Sequence, residues 1–282
     1  IPIISTAHAP INPYPPVGLT TEITSGGTGS TRPGAVHGGN QLPHQVHRYH
    51  GPTKMYLNPN YLCRSVESGS VAYQDLTQTV QSGMPVFPGD PEVELSEHAT
   101  VPADGYRVHS LYCGSHSGTH VDAPSHVVAD GETLDAFSVE RFVLDAVLID
   151  CTECDSREPI GPERLPATEA DLLVVQTGWS DHWNDRTYRD HPFLTPAAAE
   201  FCVEQRYDIA VDALNPDPTP TDRAKPGEPS GFPVHHQLLS EQLLIFENLT
   251  NLSGLPERFE FLAFPMKLTE GDGAPVRAVA QY

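Results

Sequence analysis

The stretch "HSGTHVDAPSH", His116 to His126, holds three histidines and one aspartate in eleven residues. Fourteen histidines spread evenly over 282 residues would put about half a histidine in such a window. An HxxxH pair on a helix would share one face, but Gly118, Thr119, Val121 and Pro124 all oppose a helix here. In extended chain, side chains two positions apart point the same way. His120 and Asp122 therefore share a face, and Gly118 permits the bend that brings His116 beside them. Two imidazoles and a carboxylate converging on one point make a metal shell that leaves positions open for water or substrate. His126, beyond Pro124, lies near that shell without having to join it. The plain alternative is a polar loop whose histidines are satisfied by hydrogen bonds. That would suffice for one histidine, and the density of the cluster argues against it.

Working outward, the chain reads as globular from about Val71. "VAYQDLT" and "YRVHSLYCGS" read as strands, the second with Val108, Ser110 and Tyr112 on one face. "FVLDAVLIDCT" and "DLLVVQTGW" are apolar, β-branched runs of the kind buried on both faces. "LTPAAAEFCVEQRYD" reads as a helix, with Thr195 as N-cap and Pro196 at the first helical position. "DIAVDAL" and "LLIFENL" read as strands, "VHHQLLSEQ" as a short helix, and "NPDPTPTDRAKPGEPSGFP" as a long loop. The last segment, "FEFLAFPMKLTEGDGAPVRAVA", reads as two strands around a turn at Gly271 to Gly273. Strands outnumber helices.

Residues 1–70 differ. They are rich in Pro, Gly, Ser and Thr, show no periodicity, and cannot bury much apolar surface alone. They are expected to form an arm apart from a domain spanning 71–282. The arm should order against a neighbouring subunit, as arm exchange in a homo-oligomer, a dimer or tetramer. Its histidines, His37, His44, His47 and His50, lack an acidic or Cys partner. The net charge of −21 repels nucleic acid and anionic membranes. No apolar run approaches the ~20 residues of a membrane helix. Five cysteines, an odd and sparse set, make no disulfide framework. Cys151 and Cys154 form a lone CxxC, read as two thiols after a strand. No basic-then-apolar leader opens the sequence, so a cytoplasmic location is expected.

"HSGTHVDAPSH" resembles the HxGTHxDxPxH signature of the cyclase family, which includes kynurenine formamidases and isatin hydrolases. "DLTQTVQSGMPVFPGDPEV", "VVQTGW", "HHQLLSEQLLIFENL" and "APVRAVA" resemble further family segments, in order, over roughly residues 73–280. The resemblance implies the family's swivelling β/β/α-type fold, an α/β class rich in strands, here with a Pro/Gly-rich N-terminal extension. It also implies two divalent ions per chain, zinc or manganese. His116, His120 and Asp122 stand at the first metal. Asp122 and Glu247 stand at the bridging carboxylates, and His235 at the second metal. His126 stands at the proton-transferring histidine. Phe87 occupies the place where the formamidases stack substrate on a Trp.

The expected activity is metal-dependent hydrolysis of an amide, lactam or lactone of a small aromatic or cyclic molecule. Tyr106, Trp179 and Phe232 join Phe87 as possible aromatic pocket walls. Two other readings use the same residues: a non-hydrolytic cyclase or dehydratase, and a non-catalytic scaffold that binds metal or ligand. A complete metal shell with a free histidine beside it argues against the scaffold.

Overall fold

The computed structural model describes residues 71–282; the arm expected over 1–70, with its four histidines, lies outside the described residues. The elements run β1 (Tyr73–Asp75), β2 (Glu94–Ala99), α1 (Val101–Asp104), β3 (Val108–Tyr112), β4 (His120–Asp122), β5 (Val143–Asp150), β6 (Pro159–Ile160), β7 (Leu172–Gln176), β8 (Phe193–Leu194), α2 (Pro196–Gln205), β9 (Asp208–Val211), α3 (Pro233–Ser240), β10 (Ile245–Glu247), β11 (Arg258–Pro265) and β12 (Gly273–Gln281). Eight strands form one sheet in the order β1-β12-β11-β5-β7-β9-β10-β4. Strand β4 also pairs with β12, which closes the sheet into a barrel. The strand-rich α/β expectation is met.

The central strands β5, β7, β9 and β10 run parallel. Both of their faces are covered, which is why their sequences are continuous apolar runs. Along β7, Leu172 and Val174 pack into one apolar cluster, and Leu173 and Val175 into the other. The second cluster includes Ala198 and Cys202 of α2 and Val234 and Leu238 of α3. The first is built from strands around the ring, including Val121, Leu144, Phe246, Phe261 and Ala278.

Local signals set the helices. Thr195 accepts a hydrogen bond from the Ala198 amide at 3.1 Å, Pro196 opens α2, and Arg206 ends it in the left-handed region at φ 63°. Cys151 and Cys154 are buried in the core, and burial pushes the Cys151 thiol up to about 12. Among the described residues, neither cysteine joins a group of converging metal donors. No helix of the described residues is long and apolar enough to cross a membrane.

Strand β2 was not expected, because "ELSEHA" carries no apolar alternation. It pairs with β3 in a two-stranded ribbon. Every residue of β3 is exposed, Leu111 and Tyr112 included, so among the described residues neither face of this strand packs on a core.

Candidate metal centre

Strand β4 lies between β10 and β12, and its register builds the centre. His120 sits opposite Glu247 and also opposite Pro275, while Asp122 sits opposite Gly273. Val121 between them points the other way, into the core. Gly118 adopts φ 67°, the bend expected of it, and His116 comes back onto Asp122. A Cβ on Gly273 would meet His116 Cε1 at 2.4 Å, so only glycine lets that ring lie against β12.

Four donor distances define the centre. His120 Nε2 is 3.2 Å from Asp122 Oδ1 and 3.3 Å from Glu247 Oε2. His235 Nε2 is 3.4 Å from Asp122 Oδ2 and 3.2 Å from Glu247 Oε1. Each carboxylate thus turns one oxygen to each imidazole. Donors bound to one ion at roughly 2.0–2.1 Å in tetrahedral geometry lie roughly 3.3 Å apart, so both sets have the spacing of ligands sharing an ion. Glu247 Oε1 is buried without a hydrogen-bond partner, as an atom reserved for a cation would be. His116 Nδ1 contacts Asp122 Oδ1 at 2.6 Å and supplies a further nitrogen at the first set. The residues fit a divalent metal.

The two Nε2 atoms are aimed by bonds on the far side of each ring. His120 Nδ1 donates to the Gly118 carbonyl at 2.8 Å. His235 Nδ1 donates to Asp217 Oδ2 at 2.7 Å. Asp217 also accepts from the Val234 and His235 amides at 3.0 Å each, so one buried carboxylate caps α3 and orients its metal-facing histidine.

The electrostatics agree. Burial pulls the His116 and His120 rings down, but the Asp122 carboxylate outweighs it and raises them to about 9 and about 10. Burial acts the same way on His235 and is likewise overcome, by Asp122, Asp217 and Glu247. Burial would raise Asp122, yet the neighbouring rings hold it well below the usual carboxylate range. Such a cluster demands positive charge, and a metal supplies it by displacing protons.

His126 stands at the edge. Its ring centroid is 4.0 Å from that of His116 and 6.0 Å from that of His235. Burial lowers its pKa below the ordinary 6.5. Its Nδ1 is 3.6 Å from Asp272 Oδ2, and that oxygen also accepts from His116 Nε2 at 3.1 Å. His126 converges with His116 and Asp272 on one side and with Asp122 and His235 on the other.

These groups open on a cavity of about 240 Å³. Phe87 and Phe232 line it, edge to face with centroids 5.7 Å apart. Phe232 holds φ 56°, uncommon for a bulky residue, at the start of α3. Two other expected wall residues are elsewhere. Tyr106 is 58% exposed, and Trp179 is buried in the core with its Nε1 donating to the Thr187 carbonyl.

The loop 215–232 is anchored by Arg157, a buried residue at φ 57°. Its guanidinium pairs with Glu228 and donates to the Thr219 carbonyl at 2.9 Å. Reading the sequence missed Asp217, Asp272 and Asn215. Asp217 and Asn215 are hidden in "NPDP" and Asp272 in "EGDGAP", where Pro and Gly signal turns and carry no hint of a site.

Comparison with known proteins finds relatives over most of the described residues. The family model described as "Putative cyclase" matches residues 74–218. A kynurenine formamidase of Salinibacter ruber is 31% identical over 216 residues, covering 74% of this chain and 97% of the relative. An isatin hydrolase of Roseibium aggregatum is 27% identical over 248 residues, covering 76% and 92%. Among solved structures, an isatin hydrolase bound to thioisatinate superposes with a TM-score of 0.67 at 25% identity, covering 76% of this chain and 94% of its own. A potential metal-dependent hydrolase with cyclase activity gives 0.60 at 26%, covering 75% and 98%. With His120 and Asp122 of the signature on one strand of a closed sheet and His116 and His126 on either side of it, and with these relatives matched over nearly their whole lengths, the chain belongs to the cyclase family.

Proposed function

We propose that the chain is a metal-dependent hydrolase that cleaves the C–N or C–O acyl bond of a small aromatic or cyclic amide, lactam or lactone. The observation that carries this reading is the pair of donor sets, in which His120 and His235 each lie 3.2–3.4 Å from one oxygen of Asp122 and one of Glu247. In this reading His116, His120, Asp122 and Glu247 hold one divalent ion, and His235, Asp122 and Glu247 a second. Divalent ions in such a place lower the pKa of water toward neutrality and polarise a carbonyl.

The chain's own residues do the rest. His126 turns Nδ1 toward Asp272, which leaves Nε2 to take a proton from water and return it to the leaving nitrogen or oxygen. Phe87 and Phe232 offer ring faces and edges to a flat substrate. The apolar wall, with Val127 and Leu214, limits the water that competes for the polar groups.

The test is turnover of a panel of formyl-anilides, isatin and lactones by chelated protein and by protein reloaded with zinc or manganese, with elemental analysis of each. Two ions per chain and metal-dependent cleavage of at least one substrate are expected. A loaded protein that cleaves no acyl substrate would overturn hydrolysis and favour a non-hydrolytic cyclase. At most one ion after saturation would overturn the paired centre.

A further inference from the structure

One polar group of the cavity wall has no part in this mechanism. Asn215 lines the cavity, is 3% exposed, and its Oδ1 is buried with no hydrogen-bond partner. A chain of three bonds decides which end of its amide is left free. His191 is fully buried, and burial pushes its pKa down to about 4, so the ring is neutral at pH 7. Its Nδ1 lies 2.8 Å from the Pro192 carbonyl. A carbonyl only accepts, so Nδ1 carries the ring proton and Nε2 is an acceptor. Nε2 therefore receives the hydroxyl proton of Thr219, 2.8 Å away. With that proton committed, Thr219 Oγ1 can only accept from Asn215, and the amide nitrogen faces it at 2.9 Å. The oxygen is left as an acceptor without a donor. The relay is held in place, because Arg157 donates to the Thr219 carbonyl at 2.9 Å.

We propose that Asn215 is a specificity-determining residue whose Oδ1 accepts a hydrogen bond from an N–H of the substrate, so that amides and lactams are preferred over the matching esters and lactones. This rests on the hydrolase reading above. A buried acceptor left without a donor costs free energy, and a ligand N–H that reaches Oδ1 removes that cost. An amide N–H does so, whereas an ester oxygen sets a second acceptor against Oδ1. Sites built around such a polar group reject the analogue that lacks the partner far more strongly than apolar pockets reject a change in shape.

The experiment uses metal-reloaded enzyme with formanilide and phenyl formate, which differ at the bridging N–H or O. Intrinsic reactivity differs between them, so the readout is how far a substitution changes the ratio of their kcat/KM values. Asn215→Leu is expected to lower the formanilide to phenyl formate ratio about 10–100-fold. Thr219→Val, which frees the amide to turn over, should lower it in the same direction by less. A ratio unchanged in both variants overturns the proposal. If Asn215→Leu does not fold, as judged by its thermal melt, Thr219→Val alone decides. If the wild type cleaves neither substrate, the wider acyl panel above decides the hydrolase reading, and calorimetric binding of 2-oxindole and 2-coumaranone decides the role of Asn215. Tighter binding of the lactam by the wild type, lost in the variants, supports the role. Equal binding of the two, or binding of neither, overturns it.

Discussion

Replacing Asp217 with Ala tests whether one buried carboxylate ties α3 to the metal centre. Asp217 is 1% exposed and accepts three bonds, from the Val234 amide, the His235 amide and His235 Nδ1. The alanine leaves three donors in a region where Val234 is 0% and His235 6% exposed. Each stranded donor costs roughly 1–3 kcal/mol, and water entering the vacated space recovers part of that. A loss of about 3–5 kcal/mol follows, or roughly 6–20 °C in Tm for a domain of this size. The second effect is chemical. Without Asp217 the His235 ring can rotate or shift its proton to Nε2, the nitrogen that faces Asp122 and Glu247. Affinity for the ion at His235 should fall about 10–100-fold, the usual result of losing the group that orients a metal histidine, while the ion at His120 is held nearly as before. Chelator-stripped protein titrated with zinc against a chromophoric chelator reads the two affinities, and a thermal melt of the stripped protein reads the stability. Unchanged affinity for both ions in a destabilised variant would refute the orienting role and leave Asp217 as a helix cap alone.

Gly273→Ala should displace His116, because the added Cβ would sit 2.4 Å from the ring; first-ion affinity in the same titration should fall about tenfold or more, and an unaltered value would show that the ring is free to move. His126→Asn should keep metal content near wild type and lower kcat about 10²–10⁴-fold, most for poor leaving groups; elemental analysis showing metal lost in step with activity would make His126 a ligand instead. His191 is buried and its pKa is pushed down to about 4, so between that value and the ordinary 6.5 the unfolded chain binds a proton that the folded chain does not. Its stabilising contribution is therefore complete above pH 6.5 and lost as pH falls toward 4. The gap in urea-unfolding free energy between wild type and His191→Gln should shrink by about 2–3 kcal/mol from pH 7 to pH 4.5, and parallel pH curves for the two proteins would contradict this.

The metal residues could be read in the sequence because they are local or patterned. His120 and Asp122 share a face by the period of a strand, and Gly118 marks the bend, so "HSGTHVDAPSH" carries most of one donor set by itself. Helix α2 was equally legible from Thr195 and Pro196, since a cap and a first-turn proline act within four residues. The resemblance brought His235 and Glu247 into the site, but the reason they meet His120 lies in the pairing of β10 with β4, 127 positions apart across Glu247↔His120 in the numbering. Strand pairing of that range follows from closure of the whole sheet and leaves no periodicity to read. The exposed ribbon β2–β3 went half seen because its residues lack a buried face. Trp179 and Tyr106 were placed in the pocket on residue type alone, and packing sent one to the core and the other to solvent. Asp217, Asp272 and Asn215 gained their meaning only from tertiary structure. A carboxylate or amide in a Pro/Gly-rich turn is ordinary until the fold buries it against a histidine, and burial is what makes one missing hydrogen bond matter.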